Sequence, residues 1–349
     1  MEKRNFICLA FTAAILMTAV SCSSKERLYI YNWTYYTPDS VIEKFEKEYH
    51  CRVVYDEFAS NEDMHAKLSA AQGKSGYDVV FPSCYLISIM IQEDMLEKID
   101  HSKMSNLKNI DPYVLSIASY DPDMEYSVPY FYGAAGIAVN TDKVPSFEKS
   151  WSIFAREDLK GRMTMLNDMR EVMGDALTFL GSSVNTRDPF LISAATEHII
   201  NNWKPNLVKF DAEAFAKGYS NGDFWVVHAY PEAIFEEIAD NPKMLADTVF
   251  FIPNEGGPSY IDNMVILKNA KNIDLAHKFI DFIHRPEIYA EFTDVFGLPA
   301  TVNVPARKLK KTKASFEEIE LIRTELVQDL GKDIGLYTDA WYSSIITGK

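Results

Sequence analysis

Aromatic, acidic and hydroxyl side chains recur together along the chain, each time at or near the end of a predicted β-strand. The groups are Trp33, Tyr35 and Tyr36; Ser83 and Tyr85; Asp168 and Glu171; His228 and Tyr230; and Tyr260 and Asp262. In open α/β sheets, ligands bind at the carboxyl ends of the strands. We therefore expect these groups to converge on one site.

The chemistry of this set suits a ligand that carries ammonium groups on an alkyl chain. Aromatic faces hold methylene chains and attract ammonium groups through cation–π contacts of up to about 2 kcal/mol. Carboxylates accept charge-assisted hydrogen bonds from ammonium protons. A sugar would favour aromatic residues mixed with Asn, Gln and Arg, and a ferric ion would need phenolates and His around one point. Taken singly, Asp168 and Glu171 also fit acids that interact with a helix dipole, so the hypothesis depends on the joint position.

Strand and helix patterns alternate along the chain and predict an α/β fold with mostly parallel sheets. Thr37 and Pro38 are predicted to begin a helix as its N-cap and first helical residue, and Ser60 is predicted to cap the next helix. The predicted strands cover residues 28–32, 52–58, 78–81, 136–140, 163–166, 207–210, 224–229, 248–252 and 263–267.

The chain of 349 residues is long enough for two domains, yet no stretch rich in Pro, Gly or Ser divides it. Two lobes without a linker imply that strands carry the chain between them. We expect crossings near residues 136–140 and 260–263. They predict an N-terminal lobe of residues 22–138 plus 262–300 and a C-terminal lobe of residues 139–261 plus 301–349, with a ligand cleft between the lobes.

Recognisable catalytic and metal-binding motifs are missing from the sequence. No strand–G-x-S-x-G–helix elbow occurs. The tripeptide Gly73-Lys74-Ser75 lacks the first glycine of a phosphate-binding loop and follows a predicted helix. The seven His are scattered without the spacing of metal ligands. The sequence therefore predicts a protein that is not an enzyme and has no metal or other cofactor.

The first residues have the pattern of a secretory signal peptide. Lys3 and Arg4 precede an apolar segment over residues 5–20, which is too short for a membrane span. The sequence Ala19-Val20-Ser21-Cys22 is similar to the cleavage site of bacterial lipoproteins, in which the Cys is acylated. We predict a signal peptide over residues 1–21 and a lipid anchor on Cys22, the alternative being an ordinary cleaved signal.

The chain is acidic, with a formal net charge of −15. This charge disfavours nucleic-acid binding and attracts cations, although acidity also serves solubility alone. Two Cys, Cys51 and Cys84, remain once the signal peptide and the anchor are set aside. Since a domain of this size needs no disulfide, we expect both thiols to be free and buried.

Seven segments together resemble one family of bacterial proteins. They read Leu28-Tyr-Ile-Tyr-Asn-Trp-Thr34, Ser60-Asn-Glu-Asp-Met64, Tyr77-Asp-Val-Val-Phe-Pro-Ser83, Tyr126-Ser-Val-Pro-Tyr130, Arg170-Glu-Val172, Glu255-Gly-Gly257 and Arg285-Pro286. On these segments the chain resembles the spermidine/putrescine-binding proteins of polyamine ABC transporters over nearly all of its length after the signal. The resemblance implies a type II periplasmic-binding-protein fold, in which two α/β lobes close on the ligand.

The resemblance also implies a set of ligand contacts. The implied residues are Trp33, Thr34, Tyr35, Tyr36, Ser83, Tyr85, Asp168, Glu171, His228, Tyr260, Asp262 and Gln328. In this reading Trp33 and Tyr36 line an aromatic slot, and Asp168 and Glu171 meet amino groups of the ligand. Asp262 is the main acid for an ammonium group.

At several of these positions the chain departs from the family pattern. Spermidine binders have a Glu where this chain has Tyr35 and a Trp where it has His228, and the family often has Trp in place of Tyr260. Gln328 is the nearest candidate for a Gln that contributes near the C-terminus. Loss of the Glu removes a carboxylate, and putrescine carries two positive charges where spermidine carries three. We therefore predict that putrescine binds better than spermidine.

A second hypothesis concerns the response to pH. If His228 lines the cleft, its protonation near pH 6 would place a positive charge beside a cationic ligand. We would then expect binding to weaken on mild acidification.

Together these observations predict a non-catalytic, membrane-anchored lipoprotein of the periplasm or cell envelope. It would deliver a polyamine to an ABC permease in the cytoplasmic membrane, without nucleic acid and as a monomer. The alternatives are a binding protein for another cationic or small solute, a polyamine-sensing receptor, an adhesin, and a secreted enzyme on the same scaffold. Acids beside aromatic residues disfavour a sugar, and an enzyme would need a base–nucleophile pair that the sequence does not reveal.

Overall fold

The computed structural model describes residues 25–34, 36–58 and 60–348. The strands are β1 (Arg27–Trp33), β2 (Arg52–Phe58), β3 (Val79–Val80), β4 (Ser127–Gly133), β5 (Gly136–Asn140), β6 (Met163–Met165), β7 (Leu207–Phe210), β8 (Val226–Ala229), β9 (Thr248–Phe251), β10 (Pro258–Ile266) and β11 (Glu325–Leu326). The α-helices are α1 (Asp39–Tyr49), α2 (Asn61–Ala70), α3 (Cys84–Gln92), α4 (Pro112–Ile117), α5 (Met169–Phe179), α6 (Pro189–His198), α7 (Phe215–Ser220), α8 (Pro231–Glu237), α9 (Pro242–Asp247), α10 (Ile273–Ile283), α11 (Pro286–Val295) and α12 (Ile334–Asp339). The predicted signal peptide, Cys22 and Tyr35 lie outside the described residues.

Two mixed sheets organise the strands. The first has the order β11-β10-β3-β1-β2, with β4 also paired to β10, and the second has the order β7-β6-β8-β5-β9. The predicted α/β class is confirmed, and parallel pairs outnumber antiparallel pairs by five to four among the described residues, although both sheets are mixed. β10 runs antiparallel to β3 and β4, and β5 runs antiparallel to β8 and β9. The chain enters the second sheet from the first through β5, and it returns to the first sheet through β10.

Strand β4 is absent from the sequence prediction, although all seven of its residues are buried. The cause is Pro129, since Pro within an apolar run argues against a strand. In the structure Asp262 pairs with Phe131 and Asn263 pairs with Pro129, so Tyr130 has no partner and forms a β-bulge. A bulge is one of the few places where a paired strand accepts Pro.

The two predicted helix starts differ in outcome. Ser60 caps α2 as predicted, because its Oγ accepts the N–H of Asp63 at 3.1 Å. Thr37 does not cap α1, which begins at Asp39. The Thr37 hydroxyl instead accepts a hydrogen bond from Asn32 Nδ2 at 3.0 Å, so it holds the loop after β1.

The predicted lobe boundaries fall inside two strands. β5 belongs entirely to the second sheet and β10 entirely to the first, so the chain crosses at residues 134–135 and 252–257. After β11 the chain crosses again, because Trp341 and Ile345 are buried with the second sheet. We therefore propose corrected lobes of residues 25–133 plus 258–326 and residues 136–251 plus 331–348.

Buried hydrophobic clusters hold the sheets and helices together. One cluster joins the second sheet to the C-terminal segment through Trp151, Trp203 and Trp341. Another packs α1, α10 and α11 on the first sheet and continues to Val227 and Phe250 of the second. Both remaining thiols are free and buried, as expected from the sequence. Among the described residues, none of the helices is both long and apolar enough to span a bilayer.

The crossing at residues 252–257 depends on a glycine. Gly256 has φ of +86°, and a Cβ placed there would lie 1.9 Å from the carbonyl oxygen of Arg323. Its own carbonyl oxygen accepts the indole N–H of Trp151 at 2.7 Å. We expect Gly256→Ala to lower the melting temperature, because it adds left-handed backbone strain of about 1–2 kcal/mol and a clash with backbone.

Gly181→Ala is the matched control for this variant. Gly181 has φ of +76°, but nothing lies within 4 Å of the added Cβ, so the control isolates the backbone strain. Thermal unfolding followed by circular dichroism should show a drop at least about 4 °C larger for Gly256→Ala, since about 2–4 °C corresponds to 1 kcal/mol at this size. Equal drops would contradict the role assigned to this contact.

Candidate functional site

Asp262 on β10 is held at the end of β3 by two hydrogen bonds. Its carboxylate is 4 % exposed and accepts the hydroxyl hydrogens of Tyr36 at 2.6 Å and Ser83 at 2.5 Å. Ser83 also forms an isolated β-bridge with Asp262, next to the bulge between β4 and β10. Burial raises the pKa of Asp262 to about 6, although both hydrogen bonds favour the ionised form. Among the described residues, no Lys or Arg forms an ion pair with this carboxylate.

Aromatic side chains from both sheets lie close to this acid. Tyr260 on β10 and Tyr230 after β8 meet edge to face, with ring centroids 5.9 Å apart. This contact joins the two proposed lobes directly. The indole of Trp33 is fixed because its N–H donates to the carbonyl oxygen of Phe81 at 2.9 Å, and its ring packs against Phe58 at 4.5 Å. Trp33, Tyr230 and Tyr260 are half-buried, so each offers part of its face to a ligand.

Asp168 and Glu171 lie in the first turn of α5, as the sequence predicted. Oδ1 of Asp168 caps the helix by accepting the N–H groups of Arg170 at 2.9 Å and Glu171 at 3.1 Å. The cap leaves Oδ2 outside these bonds. Glu171 is 6 % exposed, and burial together with the neighbouring Asp168 raises its pKa well above the usual value. The helix-cap and ligand-contact interpretations of Asp168 are thus compatible, since they use different oxygens.

Two further acids face the same region and were missed in the sequence. Glu232 lies in the first turn of α8, directly after Tyr230 and β8, and burial raises its pKa to about 7, with a smaller contribution from Asp262. Glu62 in α2 accepts the hydroxyl hydrogen of Tyr85 at 3.1 Å. The signal for Glu232 was present, because an acid in the helix turn after a strand is the pattern that identified Asp168 and Glu171.

Electrostatic coupling shows that these groups share one region. Burial raises the pKa of Tyr36 well above its usual value, and the charges of Asp262 and Glu232 raise it further. The pKa of Tyr230 is raised by burial, then by Glu171 and Asp168. Residues from the two sheets therefore lie within electrostatic reach of one another around Tyr230 and Tyr260.

The acids greatly outnumber the cations in this region. The carboxyl groups are those of Glu62, Asp168, Glu171, Asp175, Glu232 and Asp262. Arg170 is the cation that influences them, but its guanidinium donates to the carbonyl oxygen of Gln328 at 3.2 Å and to Asn185 Oδ1 at 2.9 Å. Its charge is thus directed toward the C-terminal segment. The region around Tyr230 and Tyr260 therefore carries an excess of acidic groups.

The structure corrects the predicted place of His228. This residue is 0 % exposed and lies behind the cleft, where its ring meets Trp151 at 5.1 Å and its Nε2 lies 3.4 Å from Asp175 Oδ2. Burial lowers the pKa of His228 to about 3. The hypothesis that its protonation near pH 6 weakens binding is therefore wrong.

The remaining predicted residues fall into different surroundings. Tyr36 is 4 % exposed and its hydroxyl group donates to Asp262, whereas Tyr85 is half-buried beside Glu62. Thr34 is exposed in the turn after β1. Gln328 is also exposed, and the bonds the structure shows for it come from its backbone, which links it to Arg170 and Asn185.

Comparison with known proteins places this geometry in a family. The profile of the bacterial extracellular solute-binding proteins matches residues 40–317. The spermidine/putrescine-binding periplasmic protein of Salmonella typhimurium is 35 % identical over 96 % of both chains. The putrescine/cadaverine-binding protein of Pseudomonas aeruginosa is 32 % identical over 83 % of both chains.

Solved structures agree with the sequence comparison. The TpPotD lipoprotein of Treponema pallidum superposes with a TM-score of 0.88 and 49 % identity, covering 91 % of this chain and 99 % of that one. The two-lobed periplasmic-binding-protein fold expected from the sequence is thereby confirmed. The chain belongs to the family of bacterial extracellular solute-binding proteins.

Proposed function

We propose that this protein is the extracytoplasmic, non-catalytic receptor of an ABC uptake system for a polyamine. The observation that carries the proposal is Asp262, a buried carboxylate without an ion-pair partner among the described residues, which accepts a hydrogen bond from Tyr36 and lies two residues after Tyr260, itself in contact with Tyr230 of the other sheet. An ammonium group would supply the missing charge, and the aromatic faces would hold the methylene chain. The names of the relatives, which refer to spermidine, putrescine and cadaverine, support the same ligand class.

Closure of the lobes is the expected response to the ligand. Asp262, Ser83 and Trp33 belong to one proposed lobe, and Asp168, Glu171 and Glu232 belong to the other. A diamine that contacts both sets favours the closed arrangement by its differential affinity for it. The closed form would then be presented to the permease.

We further propose that putrescine binds better than spermidine. The support is Tyr35: the family resemblance implies a Glu at this position in spermidine binders, so its replacement removes one partner for a third ammonium group. Isothermal titration of the purified protein with each amine should give the lower dissociation constant for putrescine. Tyr35→Glu should improve spermidine binding about tenfold or more, because a charge-assisted hydrogen bond contributes about 1.5–3 kcal/mol.

The variant Asp262→Asn tests whether the site is correctly placed. It keeps the shape of the side chain but removes the charge, and loss of one partner of a buried pair costs about 3–5 kcal/mol. We expect both amines to lose at least about a hundredfold in affinity, with Asp121→Asn, a buried aspartate that bonds the N–H groups of residues 125–127, leaving affinity unchanged. A preference for spermidine would overturn the ligand order, and unchanged affinity in Asp262→Asn would overturn the site.

Binding should also depend on pH through the cleft carboxyls. Burial raises the pKa of Asp262 to about 6 and that of Glu232 to about 7. Both groups become neutral as the pH falls, whereas the amines stay protonated, so the attraction is lost below these values. At pH 5 about a tenth of Asp262 would be ionised, so we expect putrescine affinity at least about tenfold lower than at pH 8. Titration at a series of pH values would contradict this if affinity stayed flat.

We also propose that Cys22 is acylated and anchors the protein to a membrane. The support is the lipoprotein-like sequence that ends at Cys22 and the description of the Treponema pallidum relative as a lipoprotein. In Triton X-114 extracts of expressing cells, the protein should enter the detergent phase, and Cys22→Ser should move to the aqueous phase. Cys51→Ser, at a buried thiol, should behave as the parent does. Recovery of the parent in the aqueous phase would refute acylation.

A further inference from the structure

Next to Trp151, two acids and an imidazole meet with few hydrogen-bonding partners among the described residues. Glu171 and Asp175 are one turn apart on α5 and therefore share a helix face, and β8 brings His228 against that face. One ligand atom from each residue lies within 4.8 Å of the other two. The three side chains are 6 %, 1 % and 0 % exposed.

The polar atoms of this cluster lack partners. Oε2 of Glu171, both carboxylate oxygens of Asp175 and both ring nitrogens of His228 are buried without a hydrogen bond in the described structure. Two carboxyl groups beside an imidazole, enclosed in this way, are costly unless something positive or polar lies between them. No Lys or Arg of the described residues forms an ion pair with any of the three.

We propose that Glu171, Asp175 and His228 form a binding site for a divalent transition-metal ion of the Zn²⁺ type. Two carboxylates and one imidazole are a donor set that such ions accept, with a fourth position for water. Tetrahedral Zn²⁺ with bonds of about 2.0–2.2 Å holds its ligand atoms about 3.3–3.6 Å apart. The separation of Asp175 Oδ2 and His228 Nε2 is 3.4 Å, which matches this spacing and is longer than an ordinary hydrogen bond.

The separation of Asp175 Oδ2 and His228 Nε2 is also shorter than the spacing expected around an ammonium group. Three acceptors placed about 2.8 Å from a tetrahedral nitrogen lie about 4.6 Å apart, wider than the Asp175–His228 separation. The walls of the cluster also suit an enclosed ion. Gly257 leaves space for Asp175, since a Cβ there would lie 2.9 Å from Oδ1, and Trp151 covers the imidazole.

The sequence did not reveal this site because its residues are not in a motif. Glu171 and Asp175 have helical spacing, but the third ligand comes from a strand more than fifty residues later. Only the packing of α5 against the second sheet brings it near.

A metal at this site would oppose the ligand in the cleft, a consequence that rests on the proposed function. Glu171 would be shared, because it is also expected to meet an amino group of the polyamine. A bound dication would withdraw that carboxylate and add positive charge beside the diamine. We therefore infer that Zn²⁺ and putrescine are mutual antagonists.

Titration of tag-free, chelator-treated protein with ZnCl₂ in the absence of polyamine tests the site. We expect one equivalent of Zn²⁺ to bind and to raise the melting temperature. Asp175→Asn and His228→Gln should weaken Zn²⁺ binding at least about tenfold, which is the loss that even outer-shell changes produce. Substitution with Co²⁺ should give the visible absorption of a bound ion in the parent and not in Asp175→Asn.

His284→Gln is the matched control. His284 is also 0 % exposed and has no hydrogen-bonding partner for either ring nitrogen, but it stacks on Tyr289 at 6.2 Å and belongs to the other proposed lobe. Zn²⁺ affinity should be unchanged in this variant. Thermal unfolding of each variant without metal verifies that it is folded, and the isosteric Asp175→Asn keeps the test valid if His228→Gln unfolds.

The outcomes of these experiments distinguish a failure of the metal site from a failure of the polyamine function. Absence of Zn²⁺ binding, or equal binding by the parent and Asp175→Asn, overturns the metal site. If Asp175→Asn weakens putrescine in metal-free buffer and Zn²⁺ does not bind, the cluster holds an amino group and the proposal is wrong. If Zn²⁺ binds but leaves putrescine affinity unchanged, antagonism is refuted. If Zn²⁺ binds as expected and putrescine does not, the metal site stands and the polyamine function fails.

Discussion

An excess of buried negative charge around one cleft constrains the rest of this molecule. Burial of a carboxylate is costly unless a cation or several hydrogen bonds compensate it. Here Asp262 has two hydroxyl donors, Asp168 has two backbone donors, and Glu171 has an oxygen with none. The fold maintains these acids at the junction of two sheets, where burial raises the pKa values of Glu171 and Asp262.

The backbone elements that position the acids follow from local rules. Asp168 and Glu171 start a helix directly after β6, and Glu232 starts another after β8, so two helix N-termini bring acids to the edge of one sheet. A helix N-terminus favours negative charge, which partly offsets their burial. Asp262 instead belongs to a strand, and the bulge opposite Tyr130 sets the side chain beside Ser83.

The sequence was informative where all residues of a pattern lie within one segment of the chain. Asp168 and Glu171 lie at the start of a helix after β6, as the sequence predicted, whereas Tyr260 and Asp262, predicted to precede a strand, lie within β10. The sequence was not informative where residues far apart in the chain determine the local structure. Pro129 concealed β4 because the bulge that tolerates it is formed with β10, far along the chain. His228 was expected to line the cleft because it ends a strand, but its side chain packs against Trp151 and against Asp175 of α5 instead.

The route of the chain between the lobes has a consequence for biosynthesis. In the first sheet, β3 lies between β1 and β10, and β10 also pairs with β4 and β11. Strands β10 and β11 are translated only after all strands of the second sheet. The first lobe to emerge from a ribosome would therefore expose the edges of β3 and β4, and contacts of such sequence separation form slowly. Completion of the first lobe would therefore wait for synthesis of the second.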